Sequence, residues 1–180
     1  MTKQDAKAGA LRWIDEATVN GHAVAAEELA DFRDRMDYLI GGVLAELGVL
    51  FPLVGTVQSD GGVMQLPADC RRVLRVVRSE NGAAVDAAVR DGMMVLPQVP
   101  VTVIYERRPE IPAPDAPDTT VLDCAPGAEP LVPLKLAADL LIGTIDRVAT
   151  AGYLTSRYNE MRWQLAGSCG DAPIAAVYTG

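Results

Sequence analysis

The sequence has few of the residues on which enzymes and metal sites most often depend. It contains one histidine, His22, and three cysteines that lie far apart in the chain, Cys70, Cys124 and Cys169. Zinc sites need several Cys or His ligands at close spacing, and histidine is the most frequent general acid or base. An odd number of separated cysteines is typical of free thiols in a reducing compartment. We therefore expect no bound metal, no cofactor and no enzymatic activity.

Motifs that bind phosphate or activate a nucleophile are also missing. Gly61-Gly62 is not followed by the Lys-Ser/Thr pair of a phosphate-binding loop, and no serine lies in a G-x-S-x-G turn. Acidic side chains are numerous over residues 27–37, so an enzyme with a carboxylate-based site is an alternative expectation. Such a site would have a deep pocket with two or more convergent ionisable groups.

Basic charge and long apolar runs are scarce as well. The 16 Lys and Arg residues against 24 Asp and Glu give a net charge of −8 at pH 7. Proteins that grip nucleic acid use clustered basic side chains, so this charge argues against binding to a phosphate backbone. The longest apolar stretch, residues 39–54, is interrupted by Glu46 and Pro52 and does not suit a membrane span. The first residues lack an apolar signal segment, which predicts a protein made and kept in the cytoplasm.

Apolar residues at helical spacing are abundant. Of the 180 residues 49% are hydrophobic, which is enough for one domain with a sizeable core. Helices are predicted over residues 4–18, 25–50, 131–149 and 153–166, with a break near Gly152. The predicted helix at 131–149 is apolar on several faces and should be buried at the centre of the fold. The stripe of the 25–50 helix consists of Leu29, Phe32, Met36, Leu39, Val43, Leu47 and Leu50.

Between these helices the pattern changes to short β-type runs. Residues 54–108 contain five or six such runs separated by turn signals, and the turn at 59–62 predicts a hairpin between its neighbours. Helices, then strands, then helices predict an α+β fold, mainly a helical bundle with an inserted small antiparallel β meander or barrel. The predicted domains are a helical core of residues 1–53 and 109–166, the β insertion 54–108, and a C-terminal arm 167–180.

Two stretches carry the candidate partner-binding residues. Arg71 and Arg75 belong to a row of arginines that either covers an exposed strand face or reaches an acidic neighbour. In the C-terminal arm, Ile174, Val177 and Tyr178 form an apolar tip. Alone, this arm buries too little surface to offset the entropy of ordering it. It therefore either docks into a groove on a partner or adjacent subunit, or lies frayed against its own core.

Several phrases of the sequence together resemble the head–tail adaptor proteins, also called connector or neck proteins, of tailed bacteriophages. The phrases are RWIDEATVNGHAVAAEELADFRDRMDYLIGGVLAELGVL, QLPADCRRVLRVVRSENG, VIYERRPEIP and PLVPLKLAADLLIGTIDRVATAGYLTSRYNEMRWQL. Together they cover most of the chain. The resemblance implies a helical bundle with a β insertion, and a structural subunit of a ring, usually of twelve copies, between the portal vertex and the tail or the next neck ring.

The resemblance also implies partners and a location. The partners are further copies of the chain, the portal protein and a tail or neck protein such as a stopper or terminator, with no membrane involved. DNA would pass through the lumen of the ring without specific binding, which agrees with about twelve copies that each carry a charge of −8. The implied location is the neck of the virion, after synthesis in the host bacterial cytoplasm. The alternatives are a small cytosolic enzyme with a carboxylate-based site and a monomeric regulatory binding module.

Overall fold

Helices lie at both ends of the described chain, and strands lie between them. The computed structural model of the protein describes residues 1–17, 26–142 and 144–168. The helices are α1 (Lys3–Ala17), α2 (Ala26–Leu50), α3 (Leu131–Leu141) and α4 (Val148–Ser168), and a 3₁₀ turn at Ile145–Arg147 precedes α4. The strands are β1 (Leu53–Ser59), β2 (Gly62–Gln65), β3 (Cys70–Arg78), β4 (Ala88–Arg90), β5 (Met93–Leu96) and β6 (Val101–Arg107). The α+β class predicted from the sequence is therefore confirmed.

The chain divides into two compact units. The helical unit comprises residues 1–51 and the described residues from Pro109 onward, and the β unit comprises residues 52–108. The β unit is thus an insertion within the sequence of the helical unit. Of the predicted C-terminal arm, Gly167 and Ser168 are the last residues of α4, and residues 169–180 lie outside the described residues.

Helix α3 is the centre of the helical unit. All of its residues are buried except Lys135 and Asp139, as its apolar pattern predicted. It packs against α1, α2 and α4, and α1 comes so close that a Cβ on Gly9 would lie 2.8 Å from the Cβ of Pro133. Burying one leucine side chain contributes about 1.5–3 kcal/mol, so this short helix holds a large share of the hydrophobic stabilisation.

The N-terminus is tied to the chain that returns from the β unit. The amide of Lys3 donates to the carbonyl of Thr120 at 2.9 Å, and the amide of Leu122 donates to the carbonyl of Met1 at 3.0 Å. These bonds flank an antiparallel bridge between Thr2 and Val121. The first turn of α1 is therefore positioned by a segment more than a hundred residues away in sequence.

The helix boundaries near the C-terminal end differ from the prediction. The helix expected over 131–149 ends at Leu141, because Ile142 adopts an extended conformation with ψ 126°. Helix α4 then begins at Val148 and continues through Gly152, where a break was expected. Ala151 and Leu154 on either side of that glycine are buried. Their packing outweighs the cost of about 1 kcal/mol for glycine in a helix.

The strands form two antiparallel three-stranded sheets and not a barrel. The strand orders are β1-β6-β3 and β2-β5-β4. The hairpin expected across residues 59–62 is wrong, because β1 pairs with β6 while β2 pairs with β5. Gly61 and Gly62 have positive φ angles of 100° and 83°, and they carry the chain from one sheet to the other. The buried core of the β unit consists of Val76, Met94, Leu96, Val101 and Val103.

Shortening a buried side chain of α3, which leaves a cavity, should destabilise the helical unit far more than shortening an exposed side chain just after the helix. Leu134 is fully buried, whereas Ile142 is 62% exposed. We expect Leu134→Ala to lower the free energy of unfolding by about 2–5 kcal/mol and Ile142→Ala to change it by less than about 0.5 kcal/mol. Urea unfolding of the full chain, followed by helical circular dichroism, measures both. Equal losses in the two variants would contradict the central position of α3.

Candidate partner-binding cleft

One edge of strand β3 is open. β3 is an edge strand of its sheet and is paired on its inner side with β6. On its outer side, backbone hydrogen bonds reach its C-terminal end, where the amide of Val85 donates to the carbonyl of Val76 at 3.0 Å and the amide of Arg78 donates to the carbonyl of Ala83 at 2.9 Å. Across residues 70–75, the described part of the chain supplies no strand on that side.

Two β-bulges alter the direction of the side chains along this edge. The register with β6 shifts between Cys70 and Arg72 and again between Val73 and Arg75. Each shift leaves one extra residue on β3, and a bulge bends the strand and re-aims its side chains. The strict alternation that the sequence pattern suggested for β3 is therefore broken.

A cleft of about 410 Å³ opens beside the bulged edge. Its lining consists of the β3 residues from Cys70 to Val76 together with Leu66, Val85, Ala87, Val89 and Met94, of which Met94 is fully buried. The lining thus combines apolar side chains with arginines, and we call this the arginine cleft.

The arginines of the cleft do different things. Arg72 reaches an acidic neighbour, since its Nη2 lies 2.5 Å from the Oε1 of the buried Glu106. Arg71 and Arg75 are exposed, and within the described residues neither has an ion-pair partner. The sequence left open whether these arginines cover an exposed strand face or reach an acidic neighbour. In the structure, Arg71 and Arg75 do the first and Arg72 does the second. Two positive charges without a described ion-pair partner therefore lie among the residues that line the cleft.

The Cys70 thiol, which lines the cleft, and the nearby Tyr105 hydroxyl are neutral at physiological pH. Burial raises the pKa of the Cys70 thiol, and the negative charge of Asp69 raises it further. Burial and Asp69 likewise raise the pKa of Tyr105, whose hydroxyl donates a 3.4 Å hydrogen bond to Asp69 Oδ1. A neutral half-buried thiol is a poor nucleophile. The chemistry of the cleft is therefore suited to binding, by apolar contact and by charge.

The other predicted partner-binding residues, Ile174, Val177 and Tyr178, lie outside the described residues. The same holds for His22 and Cys169. Of the predicted set, the structure brings Arg71 and Arg75 together along one cleft.

A buried lysine pair in the helical unit was missed by sequence reasoning. The Nζ of Lys3 donates to the carbonyl oxygens of Pro114 at 2.7 Å and Ala116 at 2.8 Å, and lies 3.0 Å from Asp37 Oδ1. Lys7 also contacts Asp37, and its Nζ lies 2.8 Å from Asp118 Oδ1. Lys3, Lys7, Asp37 and Asp118 thus form one cluster. The available signal was spacing, since Lys3 and Lys7 share one face of α1 with the buried residues Ala6, Ala10 and Ile14.

These contacts change the acidity of both partners. Burial lowers the pKa of Lys7, but hydrogen bonds to Asp118 and Asp37 outweigh it, so the net shift is upward. The hydrogen bond from Lys7 lowers the pKa of Asp118. Lys7 and Asp118 are therefore both charged at neutral pH, and the cluster joins α1, α2 and the segment that precedes α3.

A second polar cluster joins α2, α3 and α4. The hydroxyl of Tyr158 donates to Glu46 Oε1 at 2.8 Å, and Lys135 Nζ lies 3.2 Å from Glu46 Oε2 and 2.8 Å from Asp139 Oδ1. Burial, followed by the bond to Glu46, raises the pKa of Tyr158. The tyrosine is 3% exposed. Its hydroxyl is therefore a fixed donor that holds α4 against α2.

An open acidic recess of about 480 Å³ lies on the helical unit, lined by Asp34, Asp37, Tyr38, Pro114 and Asp115. Asp37 already faces the ammonium groups of Lys3 and Lys7, which offset its charge. Among the described residues, no group of three or more His, Cys, Asp or Glu side chains is arranged to hold a metal ion.

Comparisons with known proteins do not place the chain in a family. No protein-family model matches it, and no curated protein is significantly similar to it. None of the described helices combines the length and the apolar character that crossing a membrane requires. The protein is defined by its structure as an α+β protein with a helical unit and an inserted two-sheet β unit.

Removing one hydroxyl from the second polar cluster should weaken the helical unit measurably. Tyr158→Phe deprives Glu46 of a buried donor, and a hydrogen bond to a charged group contributes about 1.5–3 kcal/mol. Tyr153 on the same helix is 55% exposed and provides the matched control. We expect chemical denaturation to show a loss of that size for Tyr158→Phe and a change below about 0.5 kcal/mol for Tyr153→Phe. Indistinguishable variants would show that the Tyr158–Glu46 bond does not hold α4.

Proposed function

We propose that the protein is a head–tail adaptor subunit of a tailed bacteriophage, which forms a ring between the portal and the tail or neck. The observation that carries the proposal is the open edge of β3 beside the arginine cleft. An exposed strand edge is a template for pairing with another chain. Here the two bulges and the unpaired Arg71 and Arg75 disfavour pairing of this edge with its own copy, because like charges would meet. The edge is therefore available to a different surface.

A ring needs two different complementary surfaces on each subunit. Such head-to-tail interfaces close into rings when the rotation between neighbours permits it. The arginine cleft is one surface with specific charge and shape. The helical unit offers others, including Trp163, which is 70% exposed on α4, and aromatic side chains of this kind are enriched in interfaces. The partners proposed are further copies of the chain, the portal protein and a neck or tail protein.

The remaining features are consistent with a structural role. The order of helices, inserted β unit and helices agrees with the resemblance to phage adaptors. A charge of −8 per subunit would make the lumen of a ring repel the DNA that passes through it. We place the assembled protein in the neck of the virion and propose no catalytic step for it.

A genetic test separates this proposal from the alternatives. In a phage genome that encodes the protein, inactivation of its gene should yield DNA-filled heads and free tails that do not join. Electron microscopy of lysates detects both products. Supplying the intact protein in trans should restore joined particles, whereas an Arg71→Glu, Arg75→Glu variant should not. Arg90→Glu, at an exposed position of β4 that does not line the cleft, is the matched control and should restore them. Normal infectious particles without the gene product would refute the adaptor role.

A further inference from the structure

The arginine cleft concentrates positive charge in an acidic protein. Among the described residues, those that line it include three arginines and no carboxylate, although the chain carries a net charge of −8. Arg72 is paired with Glu106, whereas Arg71 and Arg75 are exposed and have no described ion-pair partner. Apart from the Cys70 thiol, the rest of the lining is apolar. A ligand that complements the cleft therefore combines negative charge with apolar groups.

The cleft opens where the chain leaves the outer side of β3. Residues 83–85 pair with residues 76–78 of β3, and the chain then continues to β4, which pairs with β5 in the other sheet. Beside residues 70–75 the described part of the β unit supplies no strand. A strand added there would continue, along the same edge, the pairing that residues 83–85 begin.

The two bulges set the spacing of the free positive charges. In the register with β6, Arg72 lies opposite Glu106, and Arg71 is the extra residue of the first bulge. Arg75 lies opposite Ile104. The step from Arg71 to Arg75 therefore covers the length of two to three residues of a regular strand, about 7–10 Å. In a strand, residues i and i+2 share one face and lie about 7 Å apart, so two carboxylates at that spacing match the two arginines.

We infer that the arginine cleft binds an extended segment of a partner protein, which adds as a strand to the outer edge of β3 and carries acidic residues at positions i and i+2. Backbone pairing with an edge of this kind supplies affinity, and alternate side chains supply specificity. The carboxylates pair with Arg71 and Arg75, and the intervening apolar side chains meet the apolar lining of the cleft. The inference rests on the proposed function for its biological setting, since the segment would belong to a neighbouring protein of the neck.

Other occupants complement the cleft less well. A second copy of the same edge would bring its own arginines against Arg71 and Arg75, and like charges directly opposite each other destabilise a strand pair. A small anion would pair with the arginines but would leave the strand edge and the apolar lining uncovered. An acidic, partly apolar strand is the ligand that uses all three features.

Fluorescence anisotropy with a synthetic peptide tests the inference on the isolated full chain. The probe is Thr-Glu-Val-Glu-Val-Thr, capped at both ends and labelled through a glycine linker. One reference peptide, Thr-Glu-Glu-Val-Val-Thr, has the same composition with adjacent acids, and another, Thr-Lys-Val-Lys-Val-Thr, has the opposite charge. We expect the probe to bind at least about tenfold more tightly than either reference, because the probe alone places two negative charges on one strand face.

Charge-reversed variants identify the cleft as the binding site. Arg71→Glu with Arg75→Glu should weaken binding of the probe by at least about tenfold and should strengthen binding of the lysine peptide. A variant that failed to fold would not gain affinity for that peptide. Arg90→Glu, at an exposed position of β4 outside the cleft lining, is the matched control and should leave both affinities unchanged.

Amide hydrogen exchange tests whether the bound peptide forms a strand. With the probe at saturation, we expect exchange within residues 70–75 to slow by at least about tenfold, because new backbone hydrogen bonds protect amides from exchange. Binding of the probe without slower exchange in this stretch would show that it does not add to β3, and the inference would be wrong.

The remaining outcomes decide between the occupants. Equal binding of the probe and either reference peptide would contradict the inference, as would displacement of the probe by inorganic phosphate at equal concentration. A dimer of the isolated chain that dissociates in the Arg71→Glu, Arg75→Glu variant would show that a second copy fills the cleft and would also overturn it. These measurements need no phage component, so failure of peptide binding is distinguished from failure of the adaptor role, which the lysates test.

Discussion

The helical unit depends on the burial of positive charge on α1, above all that of the Lys3 ammonium group. The side chain of Lys3 is 1% exposed, and its ammonium group is held by two carbonyl oxygens of the returning segment 109–121 and by Asp37 of α2. A buried ammonium group without such partners would be strongly destabilising. Helix α1, helix α2 and the segment 109–121 must therefore be in place together. This requirement explains how the helical unit can close around an insertion of more than fifty residues, because its two halves are joined by a charge that neither can bury alone.

The two units satisfy their polar groups to different degrees. In the helical unit, Lys3, Lys7, Lys135 and Tyr158 all find partners across helices, so its interior is closed. In the β unit, no described strand covers the outer edge of β3 across residues 70–75, and no described carboxylate forms an ion pair with Arg71 or Arg75. These polar groups of the helical unit are thus paired, whereas the β unit has backbone groups and arginines without described partners. We interpret this contrast as the division between a scaffold and a docking surface.

The sequence predicted what depends on local periodicity and missed what depends on distant partners. Helix α2 and the buried α3 follow from apolar spacing, because a helix that buries a face must repeat apolar residues along it. The break expected at Gly152 was wrong because buried neighbours outweigh the local preference. The hairpin at residues 59–62 was wrong because strand pairing is decided by contacts with β5 and β6, far along the chain. The different roles of Arg71 and Arg72 depend on a bulge, which the spacing of residues does not reveal.

We propose that about twelve copies of this chain form one ring in each particle. A ring subunit has a fixed, small copy number, unlike a capsid or tail-tube protein. Quantitative mass spectrometry of purified particles, with isotope-labelled peptides of this chain and of the portal as standards, measures that number directly. We expect about twelve copies per particle, the number that the resemblance to phage adaptors implies for one closed ring. Absence of the chain from particles, or hundreds of copies in each, would contradict it.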